Sequence, residues 1–224
     1  MRLIPVLLLM SFSVFASPRD VAHRLQESAN VFSEIMATPD KGIPKDLMAK
    51  AHCIVIVPGL KKGAFIVGAE YGQGFVSCRK QDDSGWSAPA AIRVEGGSLG
   101  FQIGGSETDV VMLVMNDRGA EKLLSDKFTV GVDGAVAAGP VGRSATAQTD
   151  ARMTAEILSW SRSRGVFAGI ALQGATLRPS QDDNEVLYGS RLDSRAVVTG
   201  HHRTPQPAQL LLSLLNKYSP FKTS

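Results

Sequence analysis

Lys61, Lys62, Arg143, Arg162 and Arg164 are the side chains of this 224-residue chain best suited to chemistry with a ligand. Each falls where the pattern predicts a turn, so each is expected to reach outward. A guanidinium matches two phosphate oxygens at once, and an ammonium adds a point charge. Gathered at one end of a sheet, the five would form a site for a phosphorylated head group. A cation near an anionic membrane surface is worth about 1 kcal/mol. Scattered over the surface, they would only aid solubility. Trp86, Trp160 and Phe167 are candidates for apolar contact beside the site, although a Trp in such a run more often belongs to a core.

Other motifs carry less. Gly96-Gly97-Ser98-Leu99-Gly100 matches the G-x-S-x-G nucleophile elbow, with Asp109, Asp117, His201 and His202 following in a permitted order for a serine hydrolase. An elbow needs a helix directly after the serine, whereas residues 99–105 read as strand and turn. Gly139-Pro140-Val141-Gly142-Arg143 resembles a phosphate loop without its G-K-[ST] ending, and its backbone alone could make an anion nest. No βαβ unit surrounds Gly100–Gly105, so a dinucleotide fingerprint is not completed. His23, His52, His201 and His202 lack zinc-ligand spacing. Asp82-Asp83 and Asp182-Asp183 read as a turn and a helix cap. The expectation is a non-enzymatic protein with no metal and no cofactor.

The elements that must hold the cations are mostly strands. Ile157–Trp160 and Val166–Leu172, parted by Arg162-Ser163-Arg164-Gly165, read as a β-hairpin with guanidinium groups at its tip. Short β-branched runs begin at His52–Val57, which Pro58-Gly59 is expected to stop. They continue through Ala64–Tyr71, Phe75–Arg79, Ala90–Glu95, Ser98–Ile103, Val110–Met115 and Phe128–Ala137. Lys61-Lys62-Gly63 and Gly72-Gln73-Gly74 are read as turns between them. This spacing predicts an α+β, β-rich fold: a curved antiparallel sheet closed or nearly closed into a barrel or sandwich, with helices at the N- and C-termini.

Val21, Leu25, Phe32, Ile35 and Met36 recur at helical spacing, with Ser17 or Asp20 as cap and Thr38-Pro39 as stop. A second short helix is expected over 44–51, a third over Asp182–Tyr188 ended by Gly189, and a Leu-rich helix over Ala208–Tyr218. The last is apolar almost all round and is expected to fill a groove on the sheet, with contact to a partner as the alternative.

Residues 1–17 read as a signal peptide: Arg2, an apolar Leu3–Phe15, and Val14-Phe15-Ala16 as cleavage box. A short uncleaved anchor is the alternative. Export to the periplasm or beyond would favour a disulfide between Cys53 and Cys78, closing a loop worth on the order of 3 kcal/mol. The domain plan is then 18–51 helices, 52–200 a β-rich domain, and 201–224 a C-terminal helix. A net charge of +3 without a densely basic segment gives nucleic-acid binding little support.

Taken in order, these segments resemble the SYLF domain. The resemblance is carried by KKGAFIVGAEYGQG (61–74), GWSAP (85–89), GGSLGFQIGGSETDVVMLVMN (96–116), AAGPVGR (137–143), SWSRSRGVFAGIALQG (159–174) and Asn184…Tyr188-Gly189. It spans about residues 45 to 200. The resemblance implies a β-rich domain with flanking helices and binding to phosphoinositide-type or other anionic lipids, and it brings no catalytic residues. The combined expectation is an exported lipid-binding protein recognising anionic phospholipid head groups. An envelope scaffold or stress module that holds a protein partner through the C-terminal helix is the alternative.

Overall fold

The computed structural model describes residues 17–38, 42–65, 67–82, 85–99, 104–139, 155–163, 166–167, 172 and 174–220. For 64, 65, 67, 68, 98, 99, 104, 105, 166 and 167 it describes the backbone alone. The expected signal peptide, Arg143 and Arg164 lie outside these residues.

Helix α1 spans Pro18–Ala37. The Ser17 hydroxyl accepts the Arg19 N–H, and Pro18 occupies the first turn, where its missing donor costs nothing. Its stripe of Val21, Leu25, Phe32 and Ile35 is fully buried. Helix α2 (Lys45–Lys50) follows. Strands β1 (Cys53–Phe65), β2 (Val67–Cys78), β3 (Ala90–Leu99) and β4 (Gly104–Val114) lie antiparallel in the order β3-β2-β1-β4, with β1 and β2 as a long hairpin. After them come α3 (Asp117–Leu123), β5 (Phe128–Thr129), β6 (Val136–Ala138), β7 (Ile157–Ser163), β8 (Val166–Phe167) and β9 (Thr176–Pro179). The chain ends in α4 (Gln181–Tyr188), α5 (Ser194–Thr199) and α6 (Gln209–Tyr218). Gly189 terminates α4 in the left-handed conformation, φ 73°. No described helix is long and apolar enough to cross a membrane.

The strands make one sheet in the order β5-β9-β3-β2-β1-β4-β7-β6, with β8 pairing β7 off this path. Its two outermost strands are neighbours in sequence, joined by 130–135. Val130 N–H donates to Ala175 O at one rim, and Ala135 O accepts Ile157 N–H at the other. The sheet is therefore curled into a half-barrel with its rims tied by one short segment. Both faces are buried. Val55, Val76, Ile92, Met112, Phe128, Ile157 and Leu177, from both ends of the path, meet on the face turned inward. Ile54, Ile56, Phe75, Val111, Leu113 and Trp160 lie on the other, beneath α1, α2 and α6. The Leu-rich α6 fills a groove as expected, burying Leu211, Leu212 and Leu215.

Two predicted turns are strand interiors. β1 runs straight through Pro58-Gly59, shifting register against both neighbours instead of stopping. Pro58 lacks a donor and Gly59 has φ 56°, so the strand bulges here. Gly72-Gln73-Gly74 passes beside the bulge. A Cβ on Gly74 would lie 2.1 Å from Ile56 O, and one on Gly72 2.7 Å from Leu60 Cδ1. Those glycines mark close approach. They do not mark a reversal.

The bulge is held by carboxylates. Asp109 accepts the Gly59 N–H at 2.9 Å and the Arg162 guanidinium at 2.9 and 2.6 Å. Arg162 also pairs with Glu34 of α1, which fastens helix to sheet. Burial raises the Asp109 pKa, opposed by the Gly59 hydrogen bond and helped by nearby Glu107 and Glu27. Elsewhere, Asn184 is fully buried: its Oδ1 accepts Ala91 N–H at 2.7 Å and its Nδ2 donates to Leu192 O at 2.8 Å. Arg79 stacks over Trp86 at 4.0 Å and donates to the carbonyls of Ala51, Met48 and Ser219, tying the chain's end to β2. Cys53 and Cys78, opposite one another in the β1–β2 ladder, form the expected disulfide.

Asn184→Ala leaves a buried donor and a buried acceptor without partners, a loss of about 2–3 kcal/mol. Thermal unfolding should then fall by roughly 5–10 °C, and a shift under 2 °C in calorimetry would refute the bracing role. Because the Asp109 pKa is raised on folding, the folded state holds the proton more tightly than the unfolded chain. Its stabilising contribution is complete below the ordinary carboxylate pKa and declines as pH rises through the folded value. Urea unfolding between about pH 3.5 and 6 should therefore show wild-type stability falling relative to Asp109→Asn as pH rises.

Candidate functional site

Strand directions sort the molecule into two ends. β1 finishes where β2 begins, β3 finishes where β4 begins, and β7 runs antiparallel to β4 toward the same end before turning into β8. The end of β1, the start of β2, the end of β3, the start of β4 and the end of β7 thus share one pole. The disulfide and the ends of β2 and β4 share the other, about 40 Å away along the thirteen-residue β1.

Of the five predicted cations, three are described, and none of the three lies in a turn. Lys61 and Lys62 sit within β1, four and three residues before its end, and Arg162 is paired within β7. Successive strand residues face opposite sides, which divides them. Lys61 is exposed on the helix-covered side, opposite Glu107 of β4. Arg162 occupies that same side two residues deeper, in register with Asp109, and there it serves the fold. Lys62 falls on the inward side with Leu60, and its ammonium lies 2.9 Å from Glu70. The register brings the Lys pair and Arg162 to one pole without merging them into one pocket. Arg143 and Arg164 lie outside the described residues; β7 and β8, on either side of Arg164, pair antiparallel through Ser163 and Val166.

Other candidates resolve differently. Ser98 lies in extended β3 opposite Gly68 and Leu99 continues that strand, so among the described residues no turn into a helix follows the serine. Asp109 is engaged as described, and Asp117 caps no charge relay with Ser98; it meets His52 Nδ1 at 2.7 Å at the opposite pole. Gly139 is there because its backbone crosses Trp160: a Cβ would stand 2.0 Å from the indole. Trp86 and Trp160 are both core residues, each 1% exposed. No group of ligating side chains able to hold a metal occurs among the described residues.

A cavity of about 1050 Å³ opens at the disulfide pole, lined by His52, Cys78, Lys80, His201, His202 and Asn216 among others. Lys61, Lys62 and Arg162 are not among its walls. Sequence reasoning missed this concavity because it assigned no helix to 117–123 or 194–199, and α3 and α5 there flank it. The Asn116 side chain accepting Gly119 N–H and the Asp193 side chain accepting Ala196 N–H are the capping signals that mark those helices.

Comparison with known proteins agrees with this architecture. Residues 95–218 match the family model described as "Ysc84: Las17-binding protein actin regulator". The chain is 33% identical over 210 residues to the SH3 domain-containing YSC84-like protein 1 of Rattus norvegicus, covering 90% of this chain and 61% of the rat protein. Its human counterpart is 34% identical over 198 residues, 86% of this chain and 57% of that protein. The LAS seventeen-binding protein 3 of Saccharomyces cerevisiae is 30% identical over 207 residues, 88% of this chain and 44% of the yeast protein. The chain thus spans less than two thirds of these curated relatives, of which the yeast protein is named for binding. With the family model covering more than half of its length, the chain belongs to the Ysc84 family, whose SYLF domain its segments resemble.

Proposed function

We propose that this chain is an exported, non-enzymatic protein that binds anionic phospholipid or phosphoinositide-type head groups at the pole where its hairpins turn. The observation that supports this most is the shared direction of β1, β3 and β7, which leaves Lys61, Lys62 and Arg162 toward one end of the sheet. Lys61 acts there as a head-group cation, and Arg143 and Arg164, which lie outside the described residues, are the further candidates that the sequence offers. Lys62 contributes from within its pair with Glu70, and Arg162 supports the pole by holding Asp109 and Glu34. The export reading draws on the N-terminal pattern of residues 1–17, and the Cys53–Cys78 bond fits an oxidising compartment.

A protein partner is the second reading, favoured by a relative named for binding LAS seventeen. The C-terminal helix is a poor surface for it, since Leu211, Leu212 and Leu215 are buried in the core and Leu210 alone among its leucines is exposed.

Lys61→Glu combined with Arg164→Glu tests the lipid reading without touching the Arg162 joint. Two lost cations at about 1 kcal/mol each should weaken co-sedimentation with phosphatidylglycerol vesicles by at least ~10-fold. Equal pelleting of the variant and the wild type would discard these head-group residues.

A further inference from the structure

The apolar core is left open at one place. Among the described residues, six buried apolar side chains keep 6% or more of their surface exposed. Five of these, Cys78, Ala88, Leu124, Val198 and Leu212, line the cavity at the disulfide pole. They come from the end of β2, the stretch before β3, the end of α3, and helices α5 and α6. These elements meet around an apolar floor without closing over it. The space, about 1050 Å³, is that of a small-molecule site.

The rim differs from the floor. Lys80, His201 and His202 stand exposed on it, with the carboxamides of Gln81, Gln209 and Asn216. His202 is braced: its ring centroid lies 5.4 Å from that of Tyr188, whose hydroxyl donates to Pro89 O at 2.6 Å. The two carboxylates of the walls are already engaged. Asp117 is set against His52 Nδ1 at 2.7 Å, and Asp82 has a partner of its own. Arg79 in the wall donates to neutral carbonyls. The groups left to meet a ligand are therefore an ammonium, two imidazoles and three carboxamides. That set favours an acid over a base.

Apolar floor and donor rim together specify an amphiphile. A hydrocarbon body gains by covering the floor, and an acid group gains charge-assisted hydrogen bonds at the rim. We propose that this cavity binds a single-chain organic acid, with its hydrocarbon on Leu124, Val198 and Leu212 and its carboxylate at Lys80 and His202. The site lies at the pole opposite to Lys61 and Lys62 and stands independently of the head-group reading.

Calorimetric titration of the full chain with octanoate is the test. Each buried methylene multiplies affinity by about 4, so octanoate should bind at least ~10-fold more tightly than hexanoate. 1-Octanol, which has the chain without the charge, should bind at least ~10-fold more weakly than octanoate, and inorganic phosphate should not displace it. Lys80→Glu should weaken octanoate by ~10-fold and leave 1-octanol unchanged. Ala120→Phe, which fills the cavity from α3, should abolish binding of both. Pelleting of Lys80→Glu with phosphatidylglycerol vesicles should match that of wild type. The comparison of ligands on wild type needs no variant to fold: absent octanoate binding, no gain over hexanoate, or equal binding of 1-octanol overturns the proposal. Equal octanoate binding by an Ala120→Phe variant with unchanged far-UV dichroism overturns it too. So does loss of vesicle pelleting in Lys80→Glu, which would make this pole the membrane face.

Discussion

The Gly59 N–H, the Asp109 carboxylate, the Arg162 guanidinium and the Glu34 carboxylate form the joint on which the structure depends. β1 is the central strand, paired along both edges, and it carries a proline where a ladder donor should be. A strand interrupted this way would lose register with two neighbours at once. Asp109 prevents that by accepting the donor that Gly59 presents at the bulge. A buried carboxylate needs a counter-charge, and Arg162 reaches it from β7. Glu34 then brings α1 onto the same guanidinium, so one chain of contacts spans two strands, a bulge and a helix.

The bulge also gives the sheet its curl. Local twist increases where one strand carries extra residues, and Gly72 and Gly74 allow β2 to pass close beside it. With both faces buried beneath this curvature, polar function is displaced to the ends of the strands. One end receives the hairpin connections and the lysines. The other receives the disulfide, the Arg79–Trp86 stack and the open cavity.

Much of the fold was legible in the sequence. Helices α1, α4 and α6 were marked by their periodicity and by Ser17 and Gly189, and the β-rich character by short β-branched runs. The β7–β8 hairpin and the disulfide also follow from residue pattern. What failed was the reading of glycine and proline as breaks. Pro58-Gly59 and Gly72-Gln73-Gly74 sit inside strands because a long-range partner, Asp109, and a close neighbour, Ile56 O, set their roles. No local window contains either. The same error placed Lys61 and Lys62 in a turn. Helices α3 and α5 escaped notice because each is too short to show a full apolar period. For the site, the pattern could not see that alternation sends Lys62 inward and that Asp109 claims Arg162.

The segment 130–135 has a consequence for how copies of this chain meet. An open sheet offers unpaired backbone donors and acceptors along its outer strands, a template for uncontrolled association. Here β5 and β6 are two and three residues long, and the chain between them bonds to both rims. Little backbone is left for another molecule to extend. At these two rims the chain is thereby protected from polymerising through its own sheet.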